Sequence, residues 1–160
     1  MKKNLIKSYA KINLSLNVLG IQKNGLHKIQ SIVSFLNFYD EIYIRPINKK
    51  KHIVKFIGPF SKNLNKNNTI SQLLYILDKK NLLHKIYEIQ IKKNIPQKSG
   101  LGGGSMNAAN ILKYLIKKKI MKANKQKILE ISKLVGSDVL LGLNSTNSIL
   151  TSKNQIKSFT

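Results

Sequence analysis

Cysteine is absent from the 160 residues, so neither a disulfide nor a thiolate metal site can form, and nothing indicates an oxidising compartment. Acidic residues are scarce: six, against 29 lysines and arginines, for a net charge of +23. Arginine is scarcer still, since Arg45 is the only one. Bidentate phosphate and base contacts are mostly made by arginine, so its near absence weakens a nucleic-acid reading of the charge. Richness in Asn and Ile fits AT-rich coding as the source of the lysines, and the charge steers anionic ligands whatever its origin. No apolar run approaches the roughly 20 residues of a membrane span. The basic start "MKKNLIKSYAKINL" has its apolar stretch broken by Lys7, Lys11 and Asn13, which does not suit a signal peptide. A soluble, cytoplasmic protein with no membrane partner is the expectation.

What is present reads as one domain without repeats or linkers. In "YAKINLSLNVL" (9–19), Ile12, Leu14, Leu16 and Val18 alternate with Lys11, Asn13, Ser15 and Asn17, the pattern of a half-buried strand with a polar second face. Further strands are expected over Ile29–Phe38, 40–46, 51–58 and 86–94, the last with Tyr87, Ile89 and Ile91 on one face. Asn68 or Thr69 is placed to cap a helix carrying Leu73, Leu74 and Leu77. Helices are expected at about 105–119 and, capped by Asn124, at about 124–134, followed by turns and a short strand or two. Strands dominate the first half and helices the second, an α+β pattern with helices on one face of the sheet.

The segment "IPQKSGLGGGSMNAANILKYL" (95–115) holds Gly100, Gly102, Gly103 and Gly104 at the mouth of a helix. Backbone amides at a helix N-terminus attract anions, and glycines let a phosphate approach. Ser105 stands where its hydroxyl could cap the helix or serve a phosphate or a magnesium ion. Neither the Walker A nor the dinucleotide spacing fits, because Ser105 and Met106 occupy the decisive places. The alternative is a tight turn packed on a neighbour, but four glycines cost much entropy for a turn alone.

"AKINLSLNVLG", "IPQKSGLGGGSMNAAN" and "VGSDVLL", in that order, resemble the GHMP small-molecule kinases. Within them they are most similar to the branch acting on 4-diphosphocytidyl-2-C-methyl-D-erythritol in non-mevalonate isoprenoid synthesis. The resemblance implies the GHMP kinase N-terminal domain, of the ribosomal protein S5 domain 2-like fold, with ATP and magnesium as cofactors and a cytidine diphosphate-linked methylerythritol as substrate. It implies Asp138 as the base for the substrate's 2-hydroxyl and Lys11 as its catalytic partner. Pro96, Gln97, Lys98, Ser99, Gly100, Leu101, Gly102, Gly103, Gly104, Ser105 and Met106 would form the ATP loop, Ser105 also serving the metal. Asn13 and His27 would meet the substrate. Read from the residues alone, Asp138 stands out among the six acids because it follows a glycine in an apolar context where burial would raise its basicity; a capping aspartate is the equal alternative. Alone, the polar face with Lys11 would pass as a solvated one. Asp40 and Glu41 open a strand, and His52 and His84 draw no weight.

Departures are few. Leu26 stands where the family has a tyrosine that holds cytosine, Met106 where it has a second serine, and Tyr9 where a proline precedes Ala-Lys. The resemblance also implies that residues 1–150 are the N-terminal domain and that 151–160 begin a C-terminal one that is absent, leaving the cleft open and the chain alone unsuited to turnover. A GHMP kinase for another small alcohol, a basic nucleic-acid module and an inactive fragment are the alternatives.

Overall fold

The computed structural model describes residues 5–21, 27–62, 64, 67–151 and 156–158. Two long strands, β1 (Leu5–Ile21) and β2 (His27–Ile47), pair antiparallel. The strands expected over Ile29–Phe38 and 40–46 are thus one, because β2 absorbs its irregularity as register shifts against β1 rather than as a break. The far edge of β2 is shared. Its Glu41–Ile47 end pairs with β4 (Ile86–Lys92), while Ser31–Val33 pairs with β5 (Ser148–Leu150). β3 (Ile53–Ile57) runs parallel to β4, and β6 (Ile156–Ser158) runs antiparallel to β5.

Between these strands lie α1 (Thr69–Lys79), α2 (Gly103–Lys117), α3 (Lys125–Val135) and α4 (Val139–Asn144). Asn68 caps α1 through bonds from the Ile70 and Ser71 amides at 3.0 and 3.1 Å, with Ser71 Oγ accepting in return from the Asn68 amide. Such a reciprocal cap satisfies donors at both ends of the first turn. Asn124 caps α3 by accepting from the Lys127 amide at 2.9 Å. The core joins Ile42, Ile89 and Ile91 of the sheet to Leu73 and Leu77, Ile111, Leu112 and Leu115, and Ile131 of the helices. The α4 helix replaces part of the expected turns; six residues are too few for a helical period to show in sequence. Gly142 explains its placement. A Cβ there would stand 2.6 Å from that of Ala109 and 3.1 Å from Met106 Sδ, so only glycine lets α4 lie this close to α2. Lys113 reaches from α2 to Ser145 Oγ at 2.7 Å, with burial holding its ammonium below the usual lysine range.

Two expectations about polarity are overturned. Leu14, Leu16 and Val18 are 63, 55 and 59% exposed, whereas Lys11 is buried beside Ala10. A register shift between Tyr9 and Lys11, and another between Asn13 and Ser15, break the simple two-residue alternation on which the reading rested. Asp40 does not open a strand; it lies within β2 and is fully buried.

On the alternate sheet positions Arg45 donates to both Glu88 oxygens at 3.0 Å, and Lys92 to Glu41 at 3.1 Å. The Arg45 bond holds the Glu88 carboxyl below the ordinary value of 4.5, and the Lys92 bond does the same for Glu41. A carboxyl whose folded pKa is lowered stabilises the fold above its unfolded value and loses that contribution as pH falls through the folded value. The urea midpoint is therefore expected to fall as pH drops below about 4.5, with a shallower decline in Glu88→Gln; an unchanged slope would discount these pairs.

Candidate active site at the glycine loop

The loop takes its shape from alternating backbone handedness. Lys98, Gly100 and Gly102 have φ of 55°, 75° and 70°, while the residues between them do not share the positive sign. Such alternation turns successive amides toward one concavity, a nest suited to an anion. A lysine in this conformation is uncommon. Bonds from Ser99 Oγ to the Pro96 carbonyl (2.9 Å) and from Gln97 Nε2 to the Phe60 and Lys62 carbonyls (3.1 and 2.7 Å) brace it.

The nest runs directly into α2. Gly102 is its N-cap, and the first helical bond is from the Met106 amide to the Gly102 carbonyl at 2.9 Å. The amides of Gly103, Gly104 and Ser105 precede that bond and have no acceptor within the helix. With the helix dipole they extend the anion site. The helix begins two residues earlier than expected, so Ser105 lies inside its first turn and does not cap it.

Lys11 crosses from β1 to this loop. Its amide donates to the Leu101 carbonyl at 3.0 Å, and its stem packs so closely on Gly102 that a Cβ there would be 2.8 Å from Lys11 Cγ. Its ammonium donates to Asn13 Oδ1 at 2.6 Å and pairs with Asp138 Oδ2 at 3.2 Å. Asn13 in turn donates to Ser31 Oγ at 2.6 Å. Asp138 occupies the N-cap position of α4 but makes no capping bond. At 36% exposure its side chain is not buried as its apolar neighbours suggested; the α3–α4 turn lifts it to the surface beside Lys11.

Beside the loop opens a cleft of about 340 Å³, lined by Pro96 to Gly100, Gly102 to Ser105, and by Phe56, Leu64, Asn68, Thr69, Ile70, Lys93 and Asn107. Ser105 links this cleft to the Lys11–Asp138 ion pair, since its Oγ lies 3.6 Å from where a Cβ on Gly136 would stand, two residues before Asp138. A hydroxyl near a carboxylate-bearing turn suits magnesium, which takes oxygen ligands, keeps waters and binds with phosphates rather than in a protein cage. No cluster of three histidine, cysteine or acidic side chains occurs among the described residues.

Two loop residues stand apart from the cleft. Leu101 contributes the carbonyl that holds Lys11. Met106 is fully buried with Val33 and Leu141, and its amide is spent in the helix, so neither part of it faces a ligand; the helix turns its side chain toward the core. The His27 backbone pairs with Ile21, but its side chain and Leu26 lie outside the described residues. Sequence reasoning missed Lys93, Asn107 and Asp40, which meet beneath the loop. The available signal was Asp40 itself, an acid set in the apolar run "FLNFYDEIYI".

Residues 68–149 match the family model described as the GHMP kinases N terminal domain. The chain is 54% identical over 155 residues to the 4-diphosphocytidyl-2-C-methyl-D-erythritol kinase of Pelagibacter ubique, covering 96% of this chain and 55% of that protein. Identity to the enzyme of the same name from Thermosipho melanesiensis is 34%, covering 95% and 53%. A crystal structure of 4-(cytidine 5'-diphospho)-2C-methyl-D-erythritol kinase superposes with a TM-score of 0.75 at 22% identity, over 98% of this chain and 55% of that one. Methanococcus jannaschii mevalonate kinase gives 0.65 at 15%, over 99% and 56%. At such identities these structures speak for the α+β fold. The chain spans about half the length of the relatives it matches.

Proposed function

The chain belongs to the GHMP kinase family, and from that premise we propose that it carries the nucleotide-binding part of a cytoplasmic kinase that moves the γ-phosphoryl group of ATP to the 2-hydroxyl of 4-diphosphocytidyl-2-C-methyl-D-erythritol. The observation that carries this reading is the Lys11–Asp138 pair, held at 3.2 Å on the flank of an amide nest. Phosphoryl transfer needs positioning and charge stabilisation more than covalent chemistry. The nest and the first turn of α2 hold the phosphates, and the cleft takes the remainder of the nucleotide. Asp138 accepts the hydroxyl proton as the substrate oxygen bonds to phosphorus and the bond to the ADP oxygen breaks. Lys11 offsets the charge that spreads over the transferring group. Asn13 holds Lys11 and, with its second amide proton, meets the substrate together with His27. Magnesium, bound by Ser105 and the phosphates, would supply further charge neutralisation.

Residues 1–150 are read as the N-terminal domain and 151–160 as the start of the next, so the remaining substrate wall belongs to the part of the relatives' length that this chain does not span. No helix among the described residues is long and apolar enough to cross a membrane. The test is phosphorus NMR of ATP, magnesium and the cytidyl substrate, with the chain alone and with the second half of the Pelagibacter relative added as a separate polypeptide. A new phosphomonoester signal with ADP release is expected in the second arm. Intact nucleotide binding without that signal would reject the acceptor, and absence of binding in both arms would reject the kinase reading.

A further inference from the structure

We propose that Asp40 is a positioning residue of the nucleotide cleft, acting through Lys93; this rests on the kinase reading of that cleft. Six acids serve a chain of net charge +23, and Asp40 is the fully buried one among those described. A carboxylate offers about four acceptor positions, and four donors meet it. Oδ1 accepts from the Asn94 and Ile95 amides, each at 2.8 Å, at the foot of the glycine loop. Oδ2 accepts from Asn107 Nδ2 at 2.8 Å, inside α2, and pairs with the Lys93 ammonium at the end of β4. One side chain therefore ties the start of the loop, the helix that follows it and a buried cation.

Lys93 gives that arrangement its bearing on the ligand. It is 5% exposed, lines the cleft, and its Nζ lies 3.1 Å from where a Cβ on Gly103 would stand. A lysine ammonium so deeply buried requires a carboxylate partner. Asp40 fixes it directly beneath the first residue of α2, where it adds positive charge to the amides above. Asn107 also lines the cleft, and its Oδ1 is buried with no partner among the described residues. Its orientation follows from Asp40, which takes the amide nitrogen and leaves the oxygen on the other side.

The chemistry allows a rescue. Asp40→Asn places an amide nitrogen either against Lys93 and Asn107, which share Oδ2, or, flipped, against the Asn94 and Ile95 amides, which share Oδ1, donor against donor in both cases. In Asp40→Asn/Asn107→Asp the carboxylate moves to the helix, net charge and composition are kept, and Lys93 regains an anion. Asp40→Asn is expected to weaken magnesium–ATP binding by calorimetry roughly 30-fold, about 2 kcal/mol at 1.4 kcal/mol per factor of ten. Hydrogen-exchange protection of the Asn94 and Ile95 amides falls with it. The double variant restores protection and brings the dissociation constant back to within roughly threefold of the original. Lys93→Met, with Asp40 in place, is expected to weaken binding as much as Asp40→Asn. Should Asp40→Asn not fold, recovery of fold and affinity in the double variant, with the loss in Lys93→Met, upholds the proposal.

Unchanged affinity in Lys93→Met would overturn it, as would a folded double variant that stays as weak as Asp40→Asn. The exchange measurement needs no nucleotide. If the original chain binds no magnesium–ATP while amide protection follows the expected order, the kinase reading fails and the Asp40 clamp on loop and helix stands; if protection ignores Asp40, the clamp itself fails.

Discussion

Asp138→Asn is expected to slow phosphoryl transfer by about 10³-fold, within the usual range for removing a general base, while magnesium–ATP affinity changes by less than roughly threefold. Asparagine keeps the size of the side chain and can still accept from Lys11, whose Nζ stands 3.2 Å away, but it cannot take the hydroxyl proton. The fold should lose a modest amount of stability. Asp138 makes no capping bond to α4 and is 36% exposed, but it is the carboxylate paired with the buried Lys11, so the substitution leaves that ammonium with neutral acceptors only. Rates from the phosphorus NMR assay and affinities from calorimetry separate the two effects. A loss of affinity equal to the loss of rate would recast Asp138 as a binding group, and a rate near the original would remove it from the chemistry.

Gly102→Ala is expected to lower stability by about 2–4 kcal/mol and to weaken magnesium–ATP binding at least about 100-fold, or about 3 kcal/mol. Two costs combine. At φ of 70° an alanine is strained by about 1–2 kcal/mol. Its Cβ would also meet Lys11 Cγ at 2.8 Å and Cε at 3.0 Å. Strand β1 cannot withdraw, because the Lys11 amide is bonded to the Leu101 carbonyl. The stem must move instead, taking the ammonium from Asn13 and Asp138. Gly100→Ala is the matched control: its φ is 75°, but nothing lies within 4 Å of the added carbon. It should cost the conformational part alone. Equal effects of the two substitutions in denaturant titration would show that Lys11 is not wedged against the loop.

Much of the fold was legible because its signals are local. The alternation of Tyr87, Ile89 and Ile91 marks β4, and all three are buried; Asn68 and Asn124 cap the helices that follow them. The helix expected at about 105–119 is α2, and its Ile111, Leu112 and Leu115 face the core. What failed depends on register and on contacts distant in sequence. Irregular pairing of β1 with β2 put Lys11 inside and Leu14 outside, a reversal that periodicity cannot register. Asp40 looked like a strand-opening polar residue because its four donors lie more than fifty positions away. The glycine loop and Asp138 were singled out from the residues around them, but the pairing of Lys11 with Asp138 spans most of the chain, and only the family resemblance supplied a reason to connect them.

The alternating handedness of residues 98, 100 and 102 leaves an imprint that a survey of tolerated substitutions would misread. Branched side chains are excluded at every second position of the loop and admitted between, which is the rhythm of a strand with one covered face. Here the rhythm comes from torsion and not from burial. Asparagine, which adopts the left-handed region at little cost, should pass at position 100, whereas valine, welcome on any covered strand face, should not.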